Sequence, residues 1–179
     1  MLKRENTALV LIDIQGKLAE LMHEREALYR NLQILIKGAQ VLKLPILWLE
    51  QYPKGLGPTT PQVAELLHDQ QPLAKTCFSA CSLDDFQDQL RQSGRRQILL
   101  AGIESHICVY QTARDLFDSA YRVEVVADAV SSRTAENKAL GLERMAQAGA
   151  EITGVEMCLF ELLKQAGTAE FKQIATQDK

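Results

Sequence analysis

The chain has only three histidines in 179 residues, and its opening contains nothing resembling a membrane span or a secretory signal. It begins Met1-Leu2-Lys3-Arg4-Glu5-Asn6, and the apolar run that follows stops at Asp13, far short of the ~20 residues a spanning helix needs. A cytoplasmic location and no membrane partner are therefore expected. Paired cysteines are also missing. None of Cys77, Cys81, Cys108 and Cys158 belongs to a C-x-x-C pair, which argues against zinc ribbons and thioredoxin-type sites. Three residues separate Cys77 from Cys81, but no second pair or histidine cluster completes a metal site, and a reducing compartment disfavours a disulfide. Excess positive charge is absent: 20 Lys and Arg face 23 Asp and Glu, for a net charge of −3. Basic residues occur in short pairs such as Arg95-Arg96, so nothing points to nucleic acid as a partner. No repeat, low-complexity tract or linker divides the chain, and residues 1–179 are expected to form one domain.

What remains is a chain in which short apolar runs alternate with helical patterns. Six runs read as strands: Thr7–Ile12, 46–49, 73–76, 97–101, 122–127 and Glu151–Thr153. The first is apolar on every side, as a strand buried on both faces must be. Residues 24–42, 106–119, 135–149 and 156–165 carry apolar side chains at helical spacing. Another helix should begin behind Ser82 with Asp84 and Asp85 in its first turn. Residues 51–61 (QYPKGLGPTTP) read as a loop, with Pro61 opening a short helix to Leu67. The polar tail after Gly167 is expected to fray. This alternation predicts an α/β fold of three layers, a six-stranded, mostly parallel sheet with helices on both faces.

Ligands of open α/β sheets bind beyond the carboxyl ends of the strands. Reactive residues at those ends are Asp13, Glu50, Gln51, Lys75, Cys108 and Asp128. An acid, an amine and a thiol on one edge are the parts of a nucleophilic site. Cys108 follows a strand and a tight turn. If Ser105 caps the next helix, Cys108 lies in its first turn, where free amides and the helix dipole would lower its pKa and could hold an oxyanion. Read alone, Cys108 can equally be a small buried apolar residue, Asp13 a turn cap and Lys75 a solvated strand end. His23 and His68 fall on expected surface. His106 lies two residues from Cys108, where helical side chains do not face each other, so the base falls to a carboxylate, Asp13. Gln51 and Ile103 are candidate substrate contacts. Trp48, Tyr52, Leu56, Phe78 and Tyr110 suit a pocket lining or the core.

Three segments, LVLIDIQ with Asp13, PLAKTCFSA with Lys75 and LLAGIESHICVYQTARDL with Cys108, occur in an order and spacing that resemble the isochorismatase-like cysteine hydrolases. That group includes nicotinamidases and N-carbamoyl amidohydrolases. The segment EQYPKGLGPTTP is most similar to the branch named for its isochorismatase domain. The resemblance implies the isochorismatase-like hydrolase fold, a catalytic triad of Asp13, Lys75 and Cys108, and a cis peptide between Ile103 and Glu104. It also implies an oxyanion hole made by the Glu104 and Cys108 N–H groups, and a homo-oligomer. The Asp-x-His metal site of nicotinamidases has no counterpart in WLEQYPKGLGPTTP, so neither a metal nor another cofactor is expected. Enzymes acting on isochorismate itself lack the cysteine found here, and Ser105 stands where threonine is usual. The implied activity is hydrolysis of a small amide, carbamoyl or related acyl substrate through a thioester. The alternatives are a hydrolase-like scaffold that binds a small ligand or protein partner without turnover, and a redox sensor in which Cys77 or Cys81 resolves Cys108.

Overall fold

The apolar runs line up side by side because the central ones are buried on both faces and can satisfy their backbone only through neighbouring strands. A computed structural model describes residues 1–176. Its strands are β1 (Thr7–Ile12), β2 (Ile46–Gln51), β3 (Leu73–Lys75), β4 (Gln97–Ile103), β5 (Arg122–Ser131) and β6 (Glu151–Thr153). They form one sheet in the order β3-β2-β1-β4-β5-β6, and every pairing is parallel rather than mostly so. The helices among the described residues are α1 (Gly16–Glu20), α2 (Arg25–Val41), α3 (Pro53–Leu56), α4 (Pro61–Ala64), α5 (Asp84–Ser93), α6 (Tyr110–Asp118), α7 (Ala135–Gln147), α8 (Val155–Leu163) and α9 (Ala169–Ala175). None is long and apolar enough to cross a membrane.

Side chains alternate along a strand, so β1 feeds two cores. Leu9 and Leu11 join Leu32 and Leu35 of α2, Leu159 of α8 and Ile174 of α9. Ala8, Val10 and Ile12 join Phe86 of α5, Leu116 of α6 and Met145 of α7 on the other face.

Several boundaries differ from expectation. β4 and β5 run further than their apolar runs, because a register irregularity after Leu100 lets Gly102 pair with Val130 and Ile103 with Ser131. Asp128 therefore lies inside β5, not beyond it, and its carboxylate accepts the amide of Val155 at the start of α8 (2.9 Å). Ser82 caps nothing. It closes a 3₁₀ turn, Ala80–Ser82, whose cap is Ser79, and α5 begins after Leu83 with the expected acids in its first turn. The segment expected as a plain loop contributes Gln51 to β2 and contains α3, with proline at its start. The tail does not fray over residues 169–175. Thr168 caps α9, Ile174 is buried, and Phe171 packs edge-on against Phe160.

Candidate active site

At the carboxyl end of β1 the chain turns sharply. Asp13 takes a left-handed conformation (φ 54°), which aspartate tolerates better than most residues, and its amide still donates to Leu49 (3.2 Å). The turn sends its carboxylate inward, 2% exposed. Lys75, the last residue of β3, is equally buried and places Nζ 2.7 Å from Asp13 Oδ2. The same nitrogen reaches Gln51 Oε1 at 2.6 Å and the carbonyls of Phe78 (3.1 Å) and Cys77 (3.3 Å). All four partners are acceptors, and only the ammonium has three N–H groups to give them. Lys75 is thus held as a fixed positive charge.

Gln51 reaches Lys75 because Gln15 supplies what β1 no longer does. After Asp13 the β1 backbone leaves the sheet, and the Gln15 side-chain amide takes over its hydrogen bonds. Gln15 Oε1 accepts the Gln51 amide, and Nε2 donates to the carbonyls of Gln51 (3.1 Å) and Gly57 (2.7 Å). β2 thereby continues to Gln51, which pairs in register with Lys75. Nearby, Glu50 Oε1 accepts both the amide (2.6 Å) and the hydroxyl (2.7 Å) of Thr59, whose hydroxyl also takes the Trp48 indole N–H (2.9 Å). These bonds pin the loop over the sheet edge.

Cys108 arrives from the other side. In β4, Gly102 (φ 118°) passes so close to β1 that an added Cβ would lie 2.1 Å from the Ile12 carbonyl oxygen. The Ile103–Glu104 peptide is cis. Residues Ser105–Val109 then form a π-helical turn rather than the start of an α-helix. The Glu104 carbonyl accepts the amides of Ile107 (3.1 Å) and Val109 (3.2 Å), and among the described residues it takes none from Cys108. The wide turn leaves the Cys108 amide without its α-helical partner; turns of this type recur at functional sites. Ser105 does not cap this helix: the cap position is Glu104, and Ser105 Oγ is buried without a partner among the described residues. The Glu104 carboxylate is tied to the backbone and side chain of Arg133 (both 3.1 Å). α7 presses on the turn from outside, with Gly141 so near that a Cβ there would meet the Ser105 carbonyl carbon at 2.6 Å.

Charge at the site departs from the expected lowered thiol. Burial, then the neighbouring Asp13, push the Cys108 thiol up to about 12, and the Lys75 ammonium offsets only part of that. The thiol is therefore neutral at rest. The desolvation that the position in a helical turn did not reveal outweighs the free amides. Burial also raises Asp13 above the ordinary carboxylate value, against the opposing pull of the Lys75 ammonium. Oδ2 is spent on Lys75, and Oδ1 accepts no hydrogen bond among the described residues, so it is the oxygen open to the thiol.

The fold thus brings Asp13, Lys75 and Cys108 together, with Glu104 at the turn. It engages the Gln51 side chain within the site and buries that of Ile103. Both ends of the Gln51 amide are used, Nε2 on the Thr76 carbonyl (2.9 Å) and Oε1 on Lys75, and the Ile103 side chain is fully enclosed in the core. Trp48 is core, whereas Tyr52, next after Gln51, and Phe78, three residues beyond Lys75, remain about half exposed at 53% and 54%. His106 turns to the Ser132 hydroxyl (3.0 Å). Among the described residues no group of three or more His, Cys, Asp or Glu side chains could hold a metal ion. The supporting roles of Gln15 and Thr59 escaped the sequence reading; the polar residue two places after Asp13 was the only hint of the former.

The sequence pattern of the Isochorismatase domain matches residues 7–157. Isochorismatase family protein 1A of Dictyostelium discoideum is 37% identical over 178 residues, spanning 94% of this chain and 84% of that protein. Isochorismatase domain-containing protein 2 of Bos taurus is 36% identical over 170 residues, spanning 94% and 81%. Among solved structures, the MAR1 ribonuclease of Caenorhabditis elegans superposes with a TM-score of 0.92 at 35% identity, covering 98% of this chain and 91% of that one. The YcaC protein of Escherichia coli, described as an octameric hydrolase of unknown specificity, also gives 0.92, at 24% identity over 98% and 89% of the two chains, and shares the fold.

Proposed function

The chain belongs to the isochorismatase family of hydrolases, and from that premise we propose that it is a cysteine hydrolase acting on a small amide, carbamoyl or related acyl substrate through a thioester. The observation that carries this reading is the division of labour at Asp13, with one oxygen on the Lys75 ammonium and the other free beside a neutral thiol. Asp13 Oδ1 takes the Cys108 proton as Sγ attacks the carbonyl carbon. The carbonyl oxygen becomes an oxyanion held by the Glu104 and Cys108 N–H groups. Collapse breaks the C–N bond, the amine leaves with the proton from Asp13, and an acyl-cysteine remains. Asp13 then draws a proton from water, hydroxide adds to the thioester, and the acid is released as Cys108 regains its proton. Lys75 transfers nothing; its charge keeps Asp13 ionised and opposes the cost of forming a thiolate in a buried site.

Ammonia release from a panel of small amides and ureides by the purified protein is the test. Cys108→Ala and Asp13→Asn are each expected to lower the turnover found by at least ~10³-fold, as loss of a nucleophile or its base does in related chemistry. Substantial turnover in either variant would overturn the assignment. If no panel member is hydrolysed and none acylates Cys108, the non-catalytic scaffold becomes the better reading. The proposal includes a reducing, cytoplasmic setting, in keeping with four free cysteines, and a homo-oligomer, in keeping with exposed Tyr52, Phe78, Leu140 and Met157.

A further inference from the structure

We infer that Gln51 is a positioning residue, its side-chain amide fixing the Lys75 ammonium on Asp13 and thereby setting how strongly that charge acts on the thiol. This rests on the cysteine-hydrolase reading.

The geometry assigns the role in three steps. First, the orientation of the amide is determined by its partners: Nε2 donates to the Thr76 carbonyl (2.9 Å), so the end facing Lys75 is the oxygen, 2.6 Å from Nζ. Second, the backbone of Gln51 cannot drift, because the Gln15 amide bonds both its N–H and its carbonyl. Third, each end of the side chain already holds a partner inside the site, the oxygen on Lys75 and the nitrogen on Thr76.

Lys75 therefore has two close side-chain acceptors, Asp13 Oδ2 and Gln51 Oε1, at 2.7 and 2.6 Å. One carries a full negative charge and the other only a dipole. A neutral amide satisfies one N–H of the ammonium without competing for its charge. A carboxylate there would share the ammonium with Asp13 and weaken its pull on both Asp13 and the thiol. An apolar side chain would instead remove the partial negative charge of the amide oxygen. The other charges that bear on the pair are Glu50, acting on Asp13, and Glu104, acting on Cys108; both stay unchanged in the variants below.

The test needs no substrate. The rate of Cys108 alkylation by iodoacetamide, read by mass spectrometry of the intact chain and its peptides, is followed from pH 6 to pH 11. Gln51→Glu is expected to move the profile about one unit upward, which is roughly tenfold slower labelling at a given pH on its rising limb. Gln51→Met should move it downward, with faster labelling. Opposite shifts support the role. Two unchanged profiles, or two shifts in the same direction, overturn it, because simple loosening of the site would move both variants alike. If one variant does not fold, the sign of the other decides. Asp13→Asn, labelled in parallel, separates this inference from its premise. It should bring the Cys108 profile down sharply, and an unmoved profile in that variant would mean that the thiol and carboxylate do not act as a pair at all.

Discussion

A buried ammonium seeks an acceptor for each of its three N–H groups, and Lys75 has four oxygens to choose from, only one of them on a carboxylate. Its partner is less well provided. Asp13 has one buried cation beside it and a second oxygen, Oδ1, that accepts no hydrogen bond among the described residues. Removing either half of the pair should therefore have unequal effects on stability. Lys75→Met leaves a carboxylate enclosed without compensation and should cost about 3–5 kcal/mol. Asp13→Asn keeps the left-handed turn, which asparagine also tolerates, and leaves Lys75 three acceptors; about 1–3 kcal/mol is expected. Urea unfolding of the two variants measures the difference, and equal losses would contradict the acceptor argument. The residue types of the site were legible from position alone: an acid, an amine and a thiol each close to the carboxyl end of a strand. Gln51 was legible only as a polar residue at a strand end and Gln15 not at all, because Gln15 stands in for backbone that has left the sheet, and nothing in a linear pattern marks where a strand loses its neighbour.

The element that presents the nucleophile is a turn wider than an α-helix, and α7 lies directly on its back. Gly141 is where the two backbones meet, with an added Cβ only 2.6–2.8 Å from Ser105 and His106 backbone atoms. Those atoms are not the far end of a flexible side chain, so one of the two elements must move. Gly141→Ala should lower stability by about 1–3 kcal/mol, the usual range for overpacking, and cut activity more than tenfold as the Cys108 amide shifts. Thermal unfolding alongside an activity assay tests this; an unaffected enzyme would mean that the turn yields without disturbing the site. From the chain alone this stretch reads as an ordinary helix behind a serine cap. The i→i−5 bond that widens it follows from the packing of β4 and α7, not from local propensity. Asp128 was misplaced for a similar reason: the irregular pairing of β4 with β5 carries the strand past the end of its apolar run. α9 was missed because its cap and its single buried apolar residue, Ile174, are short signals in a polar tail.

Across the whole molecule, burial acts on thiols in the same direction at three separate places. Cys81, Cys108 and Cys158 are each pushed up to about 12 from an ordinary 9.0, with desolvation the largest cause. The folded chain then binds more protons than the unfolded chain between those limits, so stability must fall as pH rises through them. The melting temperature is expected to hold below pH 9 and to decline between pH 9 and pH 12. Cys158→Ala, remote from the site, should blunt that decline, and a melting curve indifferent to alkali would refute the thiol account. The strand order sets one further limit. β2 runs between β3 and β1, so Lys75 and Asp13 start from backbones two inter-strand spacings apart, about 9.6 Å. A cation rooted on β3 has to vault the intervening strand to meet an acid rooted on β1. The long, unbranched butyl stem of lysine is what bridges that gap, which restricts position 75 by reach as much as by charge.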